Sequence, residues 1–149
     1  MVTDGSIRPC VEMFDDDLAG AVVLAGHLLE TRLDQALRPE GLTARQLRAL
    51  RYIAATPDVT RAELAAILCT SKQAAGGIAQ RLHAIRLVGR KGDGPGFPVT
   101  FRITAAGRRC LARAGAIVVD TEREVTAQLS STSLKSFAGL LHELIVAVR

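Results

Sequence analysis

The chain has 149 residues, of which 48% are hydrophobic, 23% charged and 3% aromatic, with no Trp and a formal net charge of +4. That length fits one ordinary domain with a buried core, and the apolar content excludes general disorder. No apolar run approaches the roughly 18 residues that cross a bilayer, and no basic-then-apolar leader opens the chain. A cytoplasmic location with no membrane contact is expected.

The cysteines Cys10, Cys69 and Cys110 lack CxxC spacing, and His27, His83 and His142 form no HExxH. A disulfide framework, a zinc site and a cofactor are therefore not expected. Neither a glycine-rich nucleotide loop nor a nucleophile elbow occurs, and no enzyme activity is expected. The charge is unevenly placed. Between Gly41 and Thr104, ten Lys or Arg face three Asp or Glu, leaving nine against twelve elsewhere. A basic segment of this kind suits a phosphate backbone, although a solvated basic face has the same composition.

In chain order, residues 1–14 read as a loose arm. Asp15, Asp16 and Asp17 stand where acidic groups favour the positive end of a helix. Leu18, Val22, Ala25, Leu29, Leu33 and Leu37 then carry a helical period, and Val23, Leu24 and Leu28 widen the stripe beyond one face. So broad an apolar surface implies burial by a second subunit or a deep place within its own domain. Pro39 and Gly41 break the helix. Thr43 with Gln46 forms a capping box for the next one, which turns Leu47, Leu50 and Ile53 inward and flanks them with Arg45, Arg48 and Arg51. Pro57 ends it, and Asp58-Val59 is a candidate for a very short strand.

The stretch Val59 to Val88 carries two further predicted boxes, Thr60 with Glu63 and Thr70 with Gln73. Boxes ten residues apart leave about two turns of helix between them, which predicts a helix-turn-helix. Leu64, Ala65 and Leu68 form the buried side of the first helix. Ala75, Ile78, Leu82 and Ile85 form that of the second. Gln73, Gly76, Gly77, Gln80 and Ala84 face outward, with Lys72 and Arg81 at the margins. Strands at Val88–Lys91 and Val99–Ile103, with Val99, Phe101 and Ile103 inward, flank a Gly- and Pro-rich tip. A hairpin directly after the second helix is the layout of a winged helix. Leu111 to Leu129 marks a long helix, and Leu134 to Val148 marks a last one whose apolar side docks on the first long helix, within the subunit or across a two-fold axis.

This order of elements resembles the MarR family of bacterial transcriptional regulators over nearly the whole chain, from about Leu18 to Val148. The pieces that carry the resemblance are Leu42 to Gln46, Glu63-Leu64-Ala65, Ser71 with Arg81-Leu82, Leu87-Val88 with Arg90, and Ile103-Thr104 with Gly107. None is specific alone; their order and spacing are. The resemblance implies a mostly α fold, a winged helix-turn-helix with a small β-hairpin wing. It divides the chain into an arm at 1–14, a dimerisation helix at 15–40, a DNA-binding region at 41–104 and C-terminal dimerisation helices at 105–149. The implied function is a homodimeric regulator, a ligand-responsive repressor on a pseudo-palindromic operator in double-stranded DNA. The alternative is a winged-helix dimer with weak or lost specific DNA binding that acts through protein contacts.

Two departures motivate that alternative. The wing arginines of the family fall at Gly96 and Phe97, with Asp93 nearby, so either Arg90, Lys91 and Arg102 supply the wing's charge or the wing contributes little. Gly76 and Gly77 replace the family's Thr, Ser or Arg on the recognition helix, through close backbone approach to DNA or to a neighbouring helix, or through altered binding. Lys72, Gln73 and Gln80 are the expected base-edge contacts. Arg61, Ser71, Arg81, Arg90, Lys91 and Arg102 are assigned to phosphates. Gln73 could instead close its capping box, and Arg81 could sit in an intrachain ion pair. A small aromatic effector, implied by the resemblance, would meet His27, Glu30, Leu50 and Tyr52, although Tyr52 suits the core equally well. Cys69 reads as a packing residue, Cys110 is unassigned, and Cys10 lies upstream of the position used by oxidant-sensing relatives.

Overall fold

The computed structural model describes residues 17–92 and 98–148. The expectations for the 1–14 arm, Cys10, Asp15, Asp16 and the tip carrying Asp93, Gly96 and Phe97 lie outside the described residues.

Helix α1 spans Leu18–Ala36 and is capped by Asp17, whose carboxylate accepts from the Gly20 amide at 2.9 Å. A 3-10 turn at Arg38–Glu40 and Gly41, at φ +67°, reverse the chain into α2, Ala44–Ala55. The predicted box is closed there: the Gln46 amide donates to Thr43 Oγ1 at 3.2 Å, and the Thr43 amide to Gln46 Oε1 at 2.9 Å. Strand β1, Val59–Thr60, leads into α3, Arg61–Ile67, through the closed Thr60–Glu63 box. Helix α4 follows at Lys72–Ala84, then β2 at Val88–Lys91 and β3 at Thr100–Ile103. Helix α5 spans Ala105–Val125 and α6 spans Ser131–Ala147.

The third predicted box does not form. Ser71, not Thr70, caps α4, accepting from the Ala74 amide at 3.1 Å. The reason lies at the end of α3. Leu68 is its C-cap, Cys69 turns left-handed at φ +49°, and the Thr70 amide donates back to Ala65 O at 3.0 Å. This is a Schellman turn. It consumes the amide that Gln73 would have needed, so the cap moves one residue on.

The three strands form an antiparallel sheet in the order β1-β3-β2, with Val59 opposite Phe101 and Arg90 opposite Phe101 on its other side. Central β3 turns Phe101 and Ile103 into the core and Arg102 outward. The largest fully buried side chains are Phe101, Leu37, Leu50, Ile53, Leu64, Leu82, Val59 and Val88, so the core lies between α2, α3, α4 and the sheet. α5 adds Cys110, Ala114 and Val118.

Helices α1 and α6 bury no residue at all. The reading of α1 as deep within its own domain is therefore wrong. Val23 is 72% exposed on α1, and Leu140 and Val146 are 64% and 62% exposed on α6. The two helices face each other across apolar hollows of about 470 and 350 Å³, both lined by Leu18, Val22, Phe137 and Leu141.

Candidate nucleic-acid interface

Helix α4 owes its position to both ends. Ser71 fixes its start, and a second Schellman turn ends it: Ile85 is the C-cap, Arg86 adopts φ +62°, and the Leu87 amide donates to Leu82 O at 3.0 Å. Ala75, Ala79 and Leu82 are buried against α2 and α3. Two expectations for this helix need correction. Ile85 is 46% exposed, because the C-cap geometry swings it out of the predicted core stripe. Gly76 is buried, not outward. A Cβ placed on Gly76 would lie 3.4 Å from Cδ and 3.7 Å from Nε of Arg61, whose side chain lies over it. Gly77 has nothing within 4 Å of its Cβ position and faces open space.

The outer face of α4 carries Lys72, Gln73, Gln80 and Arg81, all exposed, with Ser71 at the start of the helix. None of these four side chains has a hydrogen bond or ion pair among the described residues. With the cap at Ser71, Gln73 is released from the capping duty that was its alternative role. Among the described residues Arg81 likewise has no intrachain ion pair of the kind considered for it. Arg61 opens α3 beside this face. Glu63, the acidic group in that first turn, accepts from the Thr60 amide and hydroxyl, both at 2.7 Å. Those two bonds, the amide's first, hold the Glu63 carboxyl below the usual carboxylate range.

At the wing, Arg90 and Lys91 end β2 and are exposed. Arg102 points from β3 to Asp58, with Nη2 2.7 Å from Oδ2. Asp58 sits at φ +55°, just before β1. This pairing had no signal in the sequence, since the two residues are 44 positions apart. The base of the wing is tied to the long helix through Thr104, whose hydroxyl donates toward Arg86 O at 2.9 Å and Leu87 O at 3.0 Å while accepting from the Gly107 amide.

The candidate effector residues differ in how far the fold exposes them. Leu50 is 0% exposed in the core, and Tyr52 is half-buried against it. Glu30 is held by Arg45 at 2.9 Å, and His27 is exposed on α1. A contact that sequence reasoning missed lies nearby: Arg113 grips Glu40 with two bonds of 2.7 and 2.8 Å, joining α5 to the 3-10 turn. Cys110, buried in the same place, has its thiol pushed up by burial and by the Glu40 carboxylate. Cys69 is exposed rather than packed, because the left-handed turn carries its side chain outward.

Among the described residues no group of three or more His, Cys, Asp or Glu could hold a metal ion. No helix among them is long and apolar enough to cross a membrane.

Known proteins share this arrangement. A sequence model of the MarR family matches residues 40–96. The HTH-type transcriptional repressor Rv2887 of Mycobacterium tuberculosis is 29% identical over 133 residues, covering 87% of this chain and 94% of its own length. The crystal structure of Rv2887 in complex with DNA superposes with a TM-score of 0.72 at 28% identity, covering 87% of this chain and 98% of that one. Its complex with p-aminosalicylic acid superposes at 0.71, with 28% identity and coverage of 85% and 97%.

Proposed function

As this chain belongs to the MarR family of winged helix-turn-helix regulators, we propose that it is a homodimeric, ligand-responsive transcriptional repressor acting on a pseudo-palindromic operator. The observation that carries this reading is the outer face of α4. Lys72, Gln73 and Gln80 project there without partners among the described residues, on a helix fixed at both ends within the basic segment. Lys donates to guanine, and Gln matches the donor–acceptor pair of adenine. Ser71, Arg81, Arg90, Lys91 and Arg102 lie around them as phosphate contacts, which set register without reading sequence. Arg102 meets DNA with Asp58 already beside it, so it adds less net charge than a lone cation.

The homodimer reading rests on α1 and α6. Their apolar sides have no cover among the described residues, and a second copy bringing the same surfaces closes both at once. The division at residues 15–40, 41–104 and 105–149 follows: a dimer frame at both ends and a reading head between them. The effector reading is supported by the p-aminosalicylic acid complex of Rv2887, and points to a small aromatic acid. The residues read from the sequence for that contact are His27, Glu30, Leu50 and Tyr52, of which His27 is the exposed one.

The test is a mobility-shift titration with DNA flanking the protein's own gene, with and without salicylate. Specific binding survives competitor DNA, falls steeply with salt and is weakened by the effector. Lys72→Ala with Gln80→Ala removes base preference; a double variant that kept both affinity and preference would refute the assignment. The second reading, a dimer working through protein contacts, is favoured by the bare surface at Gly77. Binding that competitor DNA abolishes would select it.

A further inference from the structure

We propose that Arg61, a residue of α3 and not of the recognition helix, reads a guanine edge through the gap that Gly76 leaves in α4. This rests on the DNA-binding reading above and changes one of its parts. From sequence alone Arg61 belongs with the phosphate contacts; the reassignment starts from where its side chain lies.

Three observations carry the reassignment. The Arg61 stem lies across α4 at Gly76, with Cδ and Nε at 3.4 and 3.7 Å from where a Cβ would stand. Gly76 is in the second turn of α4, in the half of a recognition helix that meets base edges. A guanidinium held at that turn lies beside the part of the helix that would enter the groove. Second, the guanidinium is uncommitted. Arg61 is exposed and has no ion pair or hydrogen bond among the described residues. The carboxylate two residues on, Glu63, is fully engaged by Thr60. Third, Gly77 leaves open space beside it, which clears room for a base pair to approach.

The chemistry then selects the base. A guanidinium fork offers two parallel donors, and guanine presents O6 and N7 as paired acceptors in the major groove. Lys72, Gln73 and Gln80 stand on the same surface. The side chain missing from α4 is thus supplied by the helix packed behind it, and two glycines need not mean a face without readout.

The experiment uses the full-length protein and a double-stranded DNA library randomised over the operator, scored by bound fraction. Arg61→Ala is expected to cost about tenfold or more in affinity for the selected operator. It should erase the preference for one guanine per half-site and leave affinity for non-specific DNA within about threefold. Gly76→Val keeps the charge but places branched atoms where the Arg61 stem lies, and is expected to reproduce the loss of that guanine preference. Gly76→Ala, whose Cβ makes ordinary contact, is expected to retain it. Thermal unfolding of each variant verifies that it is folded. The proposal is overturned if Arg61→Ala weakens specific and non-specific binding equally with base preference intact, the signature of a phosphate contact. It is also overturned if Gly76→Val leaves the guanine preference unchanged. Wild-type protein that selects no sequence at all would instead overturn the DNA-binding reading, and this proposal with it.

Discussion

The backbone of Gly107 packs directly against the carbonyl oxygen of Leu87, so that a Cβ at position 107 would overlap that oxygen and crowd Ile103 Cγ1 at 2.8 Å. The same carbonyl accepts from the Thr104 amide at 3.1 Å and the Thr104 hydroxyl at 3.0 Å. The start of the long helix is thereby held to the turn that ends the recognition helix by backbone contact and the Thr104 hydroxyl. Gly107→Ala is expected to destabilise the protein by about 2 kcal/mol or more, since backbone must move to relieve the overlap. Urea unfolding measures it, and a midpoint equal to wild type would show that the joint yields freely.

Cys69 is the pivot between α3 and α4 and holds φ +49°, a conformation that costs a residue with a Cβ about 1 kcal/mol and glycine almost nothing. Cys69→Gly is therefore expected to raise stability by about 0.5–1 kcal/mol without altering DNA affinity. Chemical unfolding paired with a mobility shift checks both halves of the statement.

Gly77 lies in the interior of α4 with open space at its Cβ position and no left-handed backbone. Gly77→Ala should stabilise the helix by about 1 kcal/mol through propensity alone. Operator affinity reports whether that opening is used: a bound base pair close to the backbone makes the more stable variant the weaker binder.

Glu63 and Glu40 both have lowered carboxyl pKa values, Glu63 through its bonds from Thr60 and Glu40 chiefly through the fork of Arg113. A carboxylate depressed in the folded state stabilises it above the unfolded value, and that contribution is lost as pH falls through the folded one. Stability should thus be flat near neutrality and drop on acidification below about pH 4.3. Glu63→Gln, which can still close the capping box, should shallow the acid limb. Thermal midpoints across that range, compared with wild type, give the slope.

The two described cysteines should differ in reactivity. Cys69 is exposed, whereas Cys110 is buried with its thiol pushed up by desolvation and by Glu40. Since the thiolate is the nucleophile, iodoacetamide in native buffer should label Cys69 well before Cys110, with peptide mapping resolving the sites. Equal rates would mean that the α5 packing opens readily.

Much of the fold was legible because its signals are local. Thr43 with Gln46 and Thr60 with Glu63 are three residues apart and formed as expected, and Leu47, Leu50 and Ile53 repeat with the period of the helix that buries them. What sequence could not show depends on atoms brought together from afar or on competition for one group. Thr70 lost its capping role because its amide was already used at the end of α3. Ile85 left the core stripe because the helix ends there in a turn of the opposite hand at Arg86. Arg102 with Asp58, and Arg113 with Glu40, are pairs 44 and 73 positions apart whose residues look like ordinary surface charge. Gly76 was hardest, since the meaning of an absent side chain lies in what occupies its place.

On the proposed role of Arg61, that occupancy makes the recognition helix an incomplete module. If residues 72–84 were transplanted alone onto a related scaffold, the graft would carry its lysine and glutamines but leave Arg61 behind. The hybrid would bind with part of its preference missing. Transferring specificity between such scaffolds therefore requires moving α3 and α4 together, with the left-handed turn at Cys69 that sets one against the other.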